Sequence, residues 1–212
     1  MTKETRITWV YKPIVHALAL APFAWLIWLG FSGQFGPNPA EFIERYSGDW
    51  AIRILLVTLA VTPSRGLTGI NTVMRFRRMI GLYAFFYAFI HLTSYVALDE
   101  FFNWHAIWLD ILKRTYITVG MVALVILTAL AITSPKAMIK KMGGRNWQRL
   151  HKLVYLAAVA APFHFFMMRK GFQMEPLVYG GIAVVLLGYR LGAWLKNKAA
   201  KSRARPAPAR AG

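Results

Sequence analysis

Polar and apolar positions along this chain are sorted into blocks rather than interleaved as in a soluble fold. Six apolar blocks stand out, at residues 13–31, 50–62, 79–98, 116–133, 150–168 and 176–195, and the segments between them carry most of the charge. A helix needs roughly 20 residues at 1.5 Å each to cross a ~30 Å hydrocarbon layer, and most of the blocks are near that length. The second is short. It reaches across by extending back through Arg53 with the guanidinium snorkelling to the interface, or it lies tilted or re-entrant. Backbone groups in lipid must pair internally, and no ten-residue alternation of the barrel kind is visible. The pattern predicts an all-α membrane protein, a six-helix bundle spanning residues 1–196.

Charge orients the bundle. The chain is 57% hydrophobic and only 16% charged, yet its formal charge is +18. Twenty of the 26 Lys and Arg fall on one side, three before the first block, four from Arg65 to Arg78, six from Lys136 to Lys152 and seven from Arg190 onward; seven of the eight acidic residues fall on the other side. The positive-inside rule then puts both termini in the cytoplasm. The first block follows the basic stretch KETRITWVYK but lacks a clear cleavage site, so it is expected to be retained as a span. Residues 197–212, basic and rich in Ala and Pro, are expected to be a disordered cytoplasmic tail with affinity for anionic membrane lipid. No nucleic-acid partner is needed to explain the charge, and no internal repeat of the inverted-transporter kind is evident.

Of the five histidines, His91 in FFYAFIHLTSYVAL and His164 in AAPFHFFMM sit deep in apolar blocks. An imidazole in lipid is costly and should face the bundle interior with a partner, which a structural hydrogen bond between helices would also provide. The third and fifth blocks run in the same direction, and His91 lies about 12 and His164 about 14 residues from their inner ends, so both rings reach one level, roughly 20 Å deep. Two imidazoles at one depth, among Phe85, Phe86, Phe89, Phe163 and Phe165, suit the axial positions of a haem in a bundle core. With no cysteine in the chain, covalent attachment and iron–sulfur clusters are excluded, leaving b-type haem. Zinc lacks a ligand set of suitable spacing, and the blocks offer no carboxylates for a proton relay.

His151, beside Arg149 and Lys152, has two readings: an ordinary interfacial histidine, or the ligand of a second, inner haem. Thirteen helical steps separate it from His164 by about 140° around a straight helix, a count that a kink at Pro162 would relax. The matching inner position on the third block holds Arg77 and Arg78 rather than histidine, so an inner haem would have one His ligand, its propionates paired by Arg75, Arg77, Arg78, Arg145 or Arg149. An alternative pairs His91 with His151 and His105 with His164; against it, LDEFF ends the apolar block before His105, which reads as a loop residue. His16 reads as interfacial. Arg53 reaches either a propionate of the outer haem or the lipid headgroups. Asp49, Asp99 and Glu100 read as solvated loop charges or as part of an outer docking surface.

The stretches RFRRMIGLYAFFYAFIHLTSYVALD, LKRTYITVGMVALVILTALAITSP and NWQRLHKLVYLAAVAAPFHFFMMRKG together resemble the MsrQ (YedZ) family, the haem-binding membrane subunits of bacterial periplasmic methionine sulfoxide reductase systems, in the ferric-reductase-like group that includes NADPH oxidases. The resemblance runs to about Lys196. It implies six helices in the bacterial inner membrane and b-type haem, one or two, with His91, His151 and His164 at the family's histidine positions. It further implies electron delivery to a periplasmic molybdopterin-containing enzyme that reduces methionine sulfoxide in oxidised proteins. The quinone pool or a cytosolic flavin reductase would be the donor, and FMN is associated with the family, although no residue pattern here marks an FMN site. Two departures from NADPH oxidases stand out: arginines occupy the inner position of the third block, and the short tail has no room for a nucleotide-binding domain, so the chain is expected not to oxidise NADPH alone. Electrons would enter near His151, pass between His91 and His164, and leave through the outer loops to a separate catalytic partner. Rival readings are a stand-alone ferric or cupric reductase, another respiratory cytochrome b subunit, and a non-redox membrane protein with structural histidines.

Overall fold

The computed structural model describes residues 2–169 and 173–203, and no strand occurs among them. The first rod joins α1 (Lys3–Arg6), a π-helical turn at Ile7–Tyr11 and α2 (Lys12–Phe31). Then come α3 (Pro39–Thr68), α4 (Arg77–Ser94), which runs on through a second π-helical turn at Tyr95–Asp99, and the short α5 (Trp104–Lys113). The chain continues as α6 (Thr115–Ile132), α7 (Lys136–Met142), α8 (Gly144–His151), α9 (Val154–Met168) and α10 (Met174–Arg203). Six of these rods are long and apolar enough to cross a membrane, the fifth being α8 and α9 together.

The short second block is part of a 30-residue helix. Pro39 starts it, the Asn38 side chain accepts from the Glu41 amide at 3.2 Å, and Gly69 ends it at φ +70°, a left-handed conformation glycine adopts without a Cβ penalty. Before Trp50 the helix carries Glu41, Arg45 and Asp49, with Arg53 next at the same spacing of four, so opposite charges stack along one face; Arg45 pairs with Glu41 and Arg53 approaches Asp49 at 3.8 Å. Hydropathy registers only the apolar part of such a helix.

The fifth block departs from a single straight helix. The amides of Lys152 and Leu153 bond three residues back, to Arg149 at 3.2 Å and Leu150 at 2.9 Å, and the chain turns between α8 and α9. His151 therefore closes one helix and His164 lies on another, so the 140° count does not relate them; the break precedes Val154, while Pro162 stays inside α9. The last helix continues through Arg203, beyond the expected boundary at 197, and the remainder of the expected tail, 204–212, lies outside the described residues.

Helices α3, α4, α6 and α9 form the core, with α10 packed on α9 and α3 and α2 set more loosely against α3 and α4. Leu59, Ala84, Tyr87, Ala157 and Ala158 are fully buried at its centre, where alanines let helix backbones approach in the absence of a hydrophobic drive between lipid-facing surfaces. Tyr87 ties α2 to this core. Its hydroxyl donates to the Ala19 carbonyl at 2.8 Å and accepts from the Phe23 amide at 3.0 Å, entering the backbone ladder beside Pro22, whose own carbonyl accepts from the Tyr46 hydroxyl at 3.0 Å.

Candidate functional site: a paired-imidazole cavity

A cavity of about 750 Å³ opens among α3, α4, α5, α6 and α9, and His91 and His164 face each other in its wall. Their ring centroids are 6.2 Å apart with planes inclined at 74°. Two metal–imidazole bonds of about 2 Å each, with about 1 Å from nitrogen to ring centre on either side, separate two centroids by about 6 Å. The rings thus stand as far apart as one iron between them requires, too far for a direct hydrogen bond.

Both histidines are seated in the same way. His91, on α4, donates from Nδ1 to the Glu44 carbonyl of α3 at 2.8 Å, and its ring lies on Gly48, where an added Cβ would come within 3.1 Å of Nδ1. His164, on α9, donates from Nδ1 to the Tyr116 carbonyl of α6 at 2.6 Å, and lies on Gly120, where a Cβ would come within 2.9 Å. In each pair the carbonyl stands four residues before the glycine, so one helical turn supplies an acceptor and the space beside it. A carbonyl accepts only, so each neutral ring carries its proton on Nδ1 and keeps the Nε2 lone pair. Neither Nε2 has a hydrogen-bond partner among the described residues. Metal-bound histidines are commonly oriented by such a bond from the remote nitrogen. The cavity, the imidazole spacing and the glycine cradles fit a haem with two histidine ligands.

His151 lies elsewhere. Its ring stacks on Trp147 at 3.9 Å between centroids, and Nε2 lies 3.2 Å from Thr133 Oγ1. That hydroxyl gives its proton to the Ala129 carbonyl at 2.7 Å, so Nε2–H is the donor to Thr133, the opposite tautomer to the cavity pair. As arranged here, Nε2 of His151 is not free for an iron, and the ring does not line the cavity. Around this end, Arg78 donates to the Ser134 carbonyl at 3.1 Å, Arg77 is half-buried, Arg145 and Arg149 are exposed, and Arg75 holds Glu4 through two bonds of 2.6 Å. His105 is exposed in the first turn of α5 rather than in a loop, and His16 bonds to the Tyr83 hydroxyl.

Arg53 turns away from the cavity, with Nε 2.7 Å from the Tyr179 hydroxyl of α10. The arginines in the cavity wall are Arg45 and Arg114, near Glu41, Glu44, Asp49 and Asp99. Arg45 pairs with Glu41 and Arg114 with Asp110 at 3.1 Å. Sequence reasoning passed over both because Arg45 precedes the second apolar block and Arg114 follows α5. Gly48 and Gly120 were also missed, because which glycine comes to face a histidine on another helix is set by tertiary packing and leaves no mark in the sequence.

A helical membrane bundle with a buried imidazole pair is the architecture of transmembrane cytochromes, and the family described as "Ferric reductase like transmembrane component" matches residues 47–162. Among curated relatives, the protein-methionine-sulfoxide reductase heme-binding subunit MsrQ of Xanthomonas euvesicatoria is 46% identical over 99% of both chains. Those of Rhodospirillum rubrum and Polaromonas naphthalenivorans are each 48% identical, covering 84% and 92% of this chain and 85% and 88% of their own. The chain belongs to the ferric-reductase-like transmembrane family and, within it, to the MsrQ group of multi-pass membrane proteins.

Proposed function

We propose that this protein is a b-type haem electron-transfer subunit of the bacterial inner membrane, passing electrons to a periplasmic methionine sulfoxide reductase that performs the chemistry on oxidised proteins. The names of its relatives support the partner and the haem, and the single observation that carries the reading is the His91–His164 pair, two rings held through Nδ1 by backbone carbonyls with their centroids at the separation one iron requires. A haem bound there supplies one-electron iron(III)/iron(II) chemistry. The chain's own residues do the rest. His91 and His164 would hold the iron, Glu44 and Tyr116 fix the tautomer and direction of the two rings, and Arg45 and Arg114 are the cations in the cavity wall that would pair with propionates.

Electrons enter from the basic, cytoplasmic face, where α8 presents Trp147 and His151 against Thr133, with the quinone pool or a flavin reductase as donor; the partner is the molybdopterin-containing type. FMN belongs to this half of the proposal through family resemblance alone. A second haem at His151 requires the Thr133 bond to open.

The test is a reduced-minus-oxidised spectrum with haem quantification on detergent-purified protein. His91→Ala and His164→Ala are expected to abolish the same signal. A ratio near two haems per chain, with His151→Ala losing about half, adds the inner site; a ratio near one, insensitive to His151, leaves the cavity pair alone. Full haem in His91→Ala and in His164→Ala sinks the assignment.

A further inference from the structure

The two spans Arg77–Asp99 and Thr115–Ile132 are joined by only fifteen residues, 100–114, and ten of these form α5. A helix tethered so closely at both ends must lie at the membrane surface. One side of it closes the imidazole cavity: Ile107 is buried and lines the wall with Ile111, and Trp104 and Trp108 border the cavity at the edge of that side. It is clamped there by Asp110, which accepts from the Tyr95 hydroxyl at 2.9 Å and from Arg114, and by Thr118, whose hydroxyl donates to the Ile111 carbonyl at 2.5 Å.

Most of the surface of both tryptophans is nonetheless open. Trp104, Trp108 and Leu112, spaced by four, form a stripe whose members are 60–66% exposed. Just before them Phe101 and Phe102 have φ of +47° and +60°, a left-handed conformation unfavourable for a bulky side chain, and both rings point outward, 78% and 58% exposed. A strained turn that displays two phenylalanines, followed by a helix with a second apolar face, is out of place in water. Aromatic rings at the ends of spans, with Lys113 and Arg114 alongside to reach the headgroups, have the composition of a membrane interface.

We propose that Phe101, Phe102 and the Trp104–Trp108–Leu112 stripe are immersed in the interfacial layer of the lipid, so that α5 is a lid over the cavity, held on one face by the bundle and on the other by the membrane. The lipid then completes the cavity wall, a role distinct from binding any cofactor or protein partner.

The chain has no cysteine, so single-cysteine probes report without background. Trp108→Cys, Leu112→Cys and, as the control in the exposed turn after α2, Gln34→Cys, labelled with an environment-sensitive fluorophore, would be reconstituted in nanodiscs of phosphatidylcholine or its dibrominated form. Labels at 108 and 112 are expected to be quenched about twofold or more by brominated lipid and to resist aqueous iodide, with Gln34→Cys reversing that order. Should Trp108→Cys not fold, Phe102→Cys carries the same test. Iodide quenching at 102, 108 and 112 without quenching by brominated lipid overturns the proposal, whether or not a reductase partner or a second copy then shields the labels. None of these readouts depends on haem.

Discussion

At the scale of single residues, the site is defined less by its histidines than by what lies behind them. Gly120→Ala would place a Cβ 2.9 Å from His164 Nδ1 and 3.0 Å from Cε1, closer than side chains tolerate, so the ring must move and its bond to Tyr116 must lengthen. Overpacking of this kind costs about 1–3 kcal/mol. Gly48→Ala, at 3.1 and 3.2 Å from the His91 ring, should cost less. The expected outcome is reduced haem per chain and a displaced Soret band, larger for Gly120→Ala, while Gly81→Ala, whose Cβ would meet only Thr58 Cγ2 at 3.4 Å, keeps full haem. Unchanged haem and spectrum in Gly120→Ala would show that the cradle does not position the ring. The histidines themselves were legible by counting residues into each block, because depth follows from the fixed rise of a helix. The seats were not, since a carbonyl on another helix enters only with tertiary packing, and for the same reason the sequence left Arg53 between a propionate and the headgroups, whereas its side chain turns to Tyr179 and the arginines in the cavity wall are Arg45 and Arg114.

At the scale of elements, tyrosine hydroxyls substitute for broken helical bonds. Tyr87→Phe would leave the Ala19 carbonyl and the Phe23 amide without their bridge at the Pro22 interruption, inside a well-packed region. Losing a buried partner costs about 1–3 kcal/mol, whereas Tyr46→Phe removes one bond, to the Pro22 carbonyl, and should cost about 1 kcal/mol. Thermal unfolding in detergent should rank them in that order, with α2 the first rod to loosen; equal midpoints for Tyr87→Phe and wild type would refute the docking role. Six apolar rods were readable from hydropathy because lipid demands length and continuity from each. The charged extension of α3 and the break between α8 and α9 were not, since ion pairs spaced by four and a turn of three-residue hydrogen bonds leave no trace in an apolar average.

At the scale of the molecule, the two ends differ in how their charge is neutralised as well as in its sign. On the acidic side each of the four arginines meets a carboxylate: Arg45 with Glu41, Arg53 with Asp49, Arg114 with Asp110 and Arg169 with Glu175. On the basic side Glu4 is the one acidic residue among twenty Lys and Arg, and it is held by Arg75. The excess positive charge therefore has no carboxylate to neutralise it on that side, and in the proposed orientation it faces anionic headgroups of the cytoplasmic leaflet, each exposed cation there worth about 1 kcal/mol. In the function proposed above, that imbalance sets the topology and with it the direction of electron flow, with α8 and His151 at the donor face and the paired-imidazole cavity toward the acceptor. In intact cells, a membrane-impermeant maleimide should label Gln34→Cys and His105→Cys and should leave Ile70→Cys and Gly144→Cys unlabelled until the membrane is opened. The reverse pattern would invert the bundle, place the cavity at the cytoplasmic face, and remove the route to a periplasmic acceptor even if both histidines proved to hold haem.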